Sequence, residues 1–265
     1  MLIEKYEMKI LLDSENDPLK RSPARGALMH GVLMQALQDS SLHQDSRLRP
    51  YSQNLVYQSP GEYKWTINVL NDAAAASVSS WLLSNPSSIC IEHYELELQI
   101  SKIEKCASLT YVEFLEQALS ALPPKYASFE FLSPFFFKKA RSKMPHPYPE
   151  ARLILQNALA KWNEFSDAGR FAEPEILEEA SQHISLQFFR LHSKRIDMDG
   201  IKFSAAEGSV SFKIQKTELR QLMHLAGKYA EFAGLGAKTA LGLGAVRYTA
   251  SLLRRHENAS SESND

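Results

Sequence analysis

Between residues 234 and 247 the chain reads Gly-Leu-Gly-Ala-Lys-Thr-Ala-Leu-Gly-Leu-Gly-Ala-Val-Arg, and no other stretch restricts the fold as much. Gly234 and Gly236 form one alternate pair and Gly242 and Gly244 another, with Lys238, Thr239 and Arg247 as the polar side chains among them. Glycine tolerates positive φ and lets another backbone or a phosphate approach closely. A run of peptide N–H groups in such a loop forms an anion-binding concavity. The expectation is a loop that clamps a phosphate backbone. The plainer alternative is a flexible connection between the helix before it and the final strand after it.

Two better-known nucleotide loops do not fit. A Walker loop needs a glycine directly before Lys-Thr, but Ala237 separates Gly236 from Lys238. A dinucleotide fingerprint needs G-x-G-x-x-G, and the third position falls on Thr239 for one pair and Arg247 for the other. Both also run from strand to helix, whereas this loop runs from helix to strand near the C-terminus.

The rest of the chain supplies an α+β pattern. Residues 2–12 read as a strand, and Pro23 opens a helix whose apolar residues Leu28, Met29, Val32, Leu33 and Ala36 recur at helical spacing. Strands follow at 51–57 and 63–69, a helix at 73–83, and a strand-rich segment at 88–106. This order, β-α-β-β-α-β, is the ferredoxin-like unit. A short helix at 111–121 and Pro123-Pro124 close a first domain over 1–122. The pattern recurs over 125–250: a strand from Tyr126, helices at 150–165 and 174–180, strands at 184–191, 201–203 and 209–215, a helix at 217–232, and a last strand at 245–248. Two tandem ferredoxin-like, RRM-like domains with antiparallel sheets are expected, and 251–265 has the composition of a disordered tail.

Composition narrows the partners. A net charge of −1 excludes a generally sticky nucleic-acid binder, so any such ligand must be held by local patches. Lys138, Lys139, Arg141 and Lys143 after Phe135–Phe137 form the best patch, with the phenylalanines read as core; Arg190, Lys194 and Arg195 form a weaker one. Two isolated cysteines, Cys90 and Cys106, suit a reducing cytoplasm and make neither a disulfide framework nor a zinc site. No apolar run is long enough to span a bilayer, so no membrane is expected. Asp197-Met-Asp199-Gly200 opens like a calcium loop, but Gly208 stands where the twelfth-position glutamate would be, so no metal is expected.

With these residues in view, the chain resembles the repeat-associated (RAMP) superfamily, and within it the endoribonucleases that cut precursor CRISPR RNA into guides. The glycine loop at the end of two tandem ferredoxin-like units carries the resemblance. Ala24-Arg-Gly-Ala-Leu-Met-His30 is similar to that family's first helix, which often bears a catalytic histidine. Arg49-Pro-Tyr-Ser, Phe131-Leu-Ser-Pro-Phe-Phe-Phe-Lys138 and the helix ending at Trp162-Asn-Glu-Phe165 are supporting matches.

The resemblance implies metal-independent scission with no cofactor. The ribose 2′-OH attacks the adjacent phosphorus and leaves a 2′,3′-cyclic phosphate and a 5′-OH. Histidine suits proton transfer near neutral pH, and cationic side chains suit the charge of the phosphorane. His30 is the acid–base candidate, with Lys20 and Arg25 as catalytic partners and His43 and His146 as weaker alternatives to the histidine. RNA contacts are expected from Arg21, Lys138, Lys139, Arg141, Lys143, Gly234, Gly236, Lys238, Thr239, Gly242, Gly244 and Arg247. Repeat RNA is the expected partner, with other CRISPR complex subunits or a second copy of the chain as further ones. A non-catalytic RNA scaffold of the same superfamily, and an enzyme holding a small phosphorylated ligand, remain the alternatives.

Overall fold

The computed structural model describes the chain except residues 13–16, 23–24, 38–47, 85, 92–94, 140–141, 143, 199 and 252–265. Pro23, His43, Arg141, Lys143, Asp199 and the tail from 252 therefore lie outside the described residues, as do the side chains of Arg21 and Ala36.

The first half builds a five-stranded antiparallel sheet from β1 (Leu2–Leu11), β2 (Tyr51–Ser59), β3 (Glu62–Val69), β4 (Ser88–Ile91) and β5 (Leu96–Thr110), in the order β2-β3-β1-β5-β4. Alternate side chains of β1 turn inward, so Tyr6, Met8 and Ile10 are buried while Glu7 and Lys9 meet Lys64 and Glu62 across the ladder. The helices α1 (Pro18–Arg21), α2 (Arg25–Leu37) and α3 (Asp72–Leu83) precede α4 (Tyr111–Ser120). Met29 and Leu33 of α2 pack on Trp65, Ile67 and Leu55. β4 is an added strand, paired with the near end of β5, on an otherwise β-α-β-β-α-β frame.

In the second half, β6 (Tyr126–Phe135), β9 (Ile184–Met198), β10 (Ile201–Ile214) and β11 (Val246–Ser251) form a sheet in the order β11-β6-β10-β9. The short strands β7 (Phe137–Lys138) and β8 (Pro145–His146) pair beside it. The helices are α5 (Ala151–Phe165), α6 (Glu173–His183) and α7 (Thr217–Ala233). Both halves are ferredoxin-like. Phe135, Phe136 and Phe137 are core residues.

The β9–β10 hairpin departs from the expected pattern. The segments 201–203 and 209–215 are one strand, and β9 runs seven residues past Leu191. Gly208 explains the misreading. Its φ is +126°, a Cβ there would lie 2.0 Å from Arg190 O, and the register against β6 shifts between Ala206 and Gly208. A glycine of this kind marks a bulge and a close backbone approach rather than the end of a strand.

An aromatic cluster joins the halves. Tyr111 and Phe114 of α4 pack on Trp162 of α5 and Tyr229 and Phe232 of α7. The Tyr111 hydroxyl donates to Leu70 O at 2.9 Å and lies 3.0 Å from the Tyr229 hydroxyl. α4 starts on a capping box in which Thr110 and Glu113 satisfy each other's amides.

One buried acid carries a prediction. Burial penalises the Glu4 carboxylate, but bonds from Lys105, Tyr6 and Ser108 outweigh it and hold its pKa below the usual range. A depressed carboxyl pKa gives stability that is present above the unfolded value and lost as pH falls through the folded one. Glu4→Gln is expected to lower stability at pH 7 by about 1–3 kcal/mol. It is also expected to flatten the loss of stability below pH 4.5, as urea midpoints at pH 7 and pH 4 would show.

Candidate active site at the junction of the two halves

α2 and the glycine loop meet at two glycines. A Cβ built on Gly26 would lie 2.6 Å from the Gly242 Cα, and one on Gly242 would lie 2.5 Å from the Gly26 Cα. Gly242 also has φ +85°, a conformation glycine adopts without the Cβ penalty. Gly31, by contrast, faces open space. The contact places α2 against the 3-10 turn Thr239–Leu241.

His30 lies one and a bit turns further along α2 and opens into a cavity of about 520 Å³. Its other walls come from Arg49, from Lys138, from Asn157 and Lys161 of α5, and from residues 236–241 of the loop. The His30 ring stacks on Tyr51, with centroids 6.3 Å apart and an interplanar angle of 23°. The cavity thus joins an imidazole from the first half to the loop and two lysines from the second.

The loop is packed, neither flexible nor an open cradle. Gly234 N–H donates to Ala230 O at 2.8 Å, Gly236 N–H to Asn157 Oδ1 at 3.0 Å, Gly242 N–H to Thr239 O at 3.2 Å and Gly244 N–H to Pro134 O at 2.8 Å. All four glycine amides are consumed within the protein, and all four glycines are buried. This corrects the expectation that Gly234, Gly236, Gly242 and Gly244 hold a phosphate through their N–H groups. They permit close packing instead: a Cβ on Gly244 would lie 1.9 Å from Leu235 O. Among the described residues, the amides of Lys238, Thr239 and Ala240 carry no such bond. Lys238 sits at φ +62° with its side chain exposed at the cavity.

Lys161 holds the loop from below. It is 4% exposed, and its ammonium donates to Ala233 O at 2.6 Å, Gly234 O at 3.0 Å and Thr239 Oγ1 at 3.1 Å. Burial pushes its pKa down to about 7.

Other expected site residues fall elsewhere. About 140° of helix separates Arg25 from His30, which turns them to different sides of α2. The Arg25 guanidinium donates to Ser22 O at 3.2 Å and Lys20 O at 3.5 Å and lines a separate cavity of about 120 Å³ beside Gly242. Lys20 is exposed, its ammonium 5.6 Å from the Tyr57 ring centre. Neither lines the histidine's cavity, so the grouping of Lys20 and Arg25 with His30 is not what the structure assembles. Lys139 is paired with Glu150 at 2.7 Å, and Arg247 with Glu130 at 2.9 Å. Arg247 faces another cleft, shared with Lys5 and Lys64. Of the basic patch after the phenylalanines, Lys138 alone of its described members borders the cavity.

Arg49, Asn157 and Lys161 join the site without having been expected there. Arg49 stood in a quoted motif with no role. Lys161 follows Asn157 by four residues on the inward face of α5, the one available signal, since a lysine there contradicts the apolar stripe.

Two halves with β-α-β-β-α-β connectivity, with a glycine loop between the last helix and the last strand, define a tandem ferredoxin-like fold. The fold is shared with a Thermus thermophilus Cas6 structure (TM-score 0.67, 20% identity, covering 94% of this chain and 98% of that one). It is shared too with a Cas6 product complex (TM-score 0.74, 20% identity, 94% and 99%). Residues 129–246 match the family model of the CRISPR-associated endoribonuclease Cas6. The Cas6 endoribonuclease of Streptococcus thermophilus is 26% identical over 226 residues, 82% of this chain and 88% of its own. That of Mycobacterium tuberculosis is 25% identical over 250 residues, 87% and 74%. Over most of its length, then, the chain is similar to the Cas6 endoribonucleases, with the family model matching its second half.

Proposed function

We propose that the chain cuts CRISPR repeat RNA in precursor transcripts, through attack of a ribose 2′-OH on the adjacent phosphorus. The supporting observation is the single cavity that His30 shares with Arg49, Lys138 and Lys238. A strand laid along it puts the scissile phosphate between an imidazole and three cationic side chains. His30 transfers the proton, either from the 2′-OH or to the departing 5′ oxygen. The cations and the amides of 238–240 offset charge on the phosphorane. The two units of this reading are 1–122, which carries the histidine, and 125–250, which carries the loop. The reading includes a cytoplasmic location. Lys139 and Arg247 reach the strand by leaving their carboxylate partners, Glu150 and Glu130.

Incubation with candidate repeat RNA in EDTA, with analysis of the new ends, is the test. A 2′,3′-cyclic phosphate and a 5′-OH are expected. Binding without scission supports the scaffold alternative, and scission that requires a divalent ion overturns the mechanism. Sizing the product complex reads out any second copy or companion subunit. Lys138→Ala and Lys238→Ala are each expected to weaken binding and to lower the salt slope by about 0.7, the value for one phosphate contact on a single strand.

A further inference from the structure

We infer that Gln53 is a positioning residue that locks the histidine-bearing helix to the glycine loop. It is the third residue of β2 and is 1% exposed. Its amide nitrogen donates to Gly26 O at 2.6 Å and to Ala240 O at 3.2 Å. Its amide oxygen accepts from the Trp65 indole at 2.9 Å, which fixes which end of the amide faces the two carbonyls. Three groups far apart in the chain therefore converge on one side chain: α2, the loop, and the core of the first sheet.

The geometry reaches the cavity through the first of these bonds. In an α-helix the carbonyl of residue 26 accepts the amide of residue 30. Gln53 thus grips the carbonyl that carries the turn bearing His30. Its second N–H grips the turn whose neighbours, Lys238 and Thr239, line the same cavity. The Gly26–Gly242 contact sets how close the two backbones come, and it has no directional preference. Gln53 supplies the direction. A helix free to slide over two glycines would move the imidazole relative to the loop, and a misplacement of about 1 Å costs on the order of 100-fold in rate.

The catalytic readout rests on the function proposed above; the structural readout does not. Gln53→Leu keeps the volume and removes both donors, and Gln53→Asn withdraws the amide by one methylene should the leucine variant fold poorly. Single-turnover cleavage at saturating repeat RNA, RNA affinity, and amide hydrogen exchange are compared with wild type. The expected result is a 10- to 100-fold slower cleavage step with affinity within twofold. Exchange should rise at least tenfold at the hydrogen-bonded amides of His30 in α2 and of Leu241 and Gly242 in the loop together, and stay unchanged in β6 and β10. Exchange that is unchanged in those two segments, or raised evenly across the protein, overturns the inference. If His30→Ala cuts as fast as wild type, the catalyst is misassigned, and the exchange data still decide whether Gln53 is the lock.

Discussion

His30→Ala is expected to slow single-turnover cleavage of repeat RNA by about 10²- to 10⁴-fold while leaving RNA affinity within threefold. The size follows from the role. A general acid or base acts on the transition state and hardly on the bound strand, so its loss falls on the rate and spares the dissociation constant. The histidine's setting supports the role over that of a surface residue. Its ring is laid flat against Tyr51, whose hydroxyl in turn donates to Met34 Sδ at 3.4 Å, so the imidazole is oriented by its neighbours. The pH–rate profile should lose one limb, because the group that exchanges the proton is gone. Lys20→Ala is the informative contrast. Its ammonium sits over Tyr57, away from the cavity, and a loss of less than about threefold in the cleavage step is expected. A loss as large as the histidine's would restore Lys20 to the catalytic group, and wild-type cutting by His30→Ala would remove His30 from it.

The contrast between these two residues shows what a linear sequence carries. Periodicity and turn residues located α2, α5, α7 and most strands, because burial on one face leaves a repeating trace in the chain. That trace ends where chain segments meet. Lys20, Arg25 and His30 are neighbours in sequence, yet Lys20 lies on α1 and α2 turns Arg25 away from His30. His30, Lys161 and Lys238 lie far apart in sequence and line one cavity. The glycine loop was legible as a place of close approach and illegible as to what approaches. Gly26 and Gly242 admit each other, and Gly244 admits the Leu235 carbonyl. A glycine pattern has the same form whether the visitor is a phosphate or a peptide. Gln53 left no signal at all. A glutamine in a strand reads as solvated, and its partners at 26, 65 and 240 are visible only once the sheet is built.

Lys161→Met is expected to cost about 2–4 kcal/mol of stability and at least tenfold in cleavage, with a pH signature that separates it from an ordinary core variant. Two effects oppose each other. Removing the ammonium removes the cost of burying a charge. It also strands Ala233 O, Gly234 O and Thr239 Oγ1, each of which loses its donor at a penalty of about 1–3 kcal/mol when buried. Two of these are carbonyls at the C-terminal end of α7, where the helix dipole favours a cation and where the last turn has no basic residue of its own. With three acceptors against one charge, the stranded oxygens outweigh the relief. The pH dependence then runs in two directions. Because burial pushes the folded pKa of Lys161 to about 7, the unfolded chain binds more protons than the folded one between about 7 and 10.4. The contribution of this group to stability therefore rises with pH through that window. Over the same window the amine drops from three N–H groups to two and can no longer hold all three oxygens, so cleavage should fall. Denaturant midpoints and single-turnover rates at pH 7 and pH 9, measured on wild type and Lys161→Met, give the answer. Wild type should gain stability relative to the variant while losing rate relative to its own value at pH 7. Midpoints of wild type and variant that shift by the same amount between pH 7 and pH 9 would mean that Lys161 stays charged throughout, and that the loop is braced by a permanent cation.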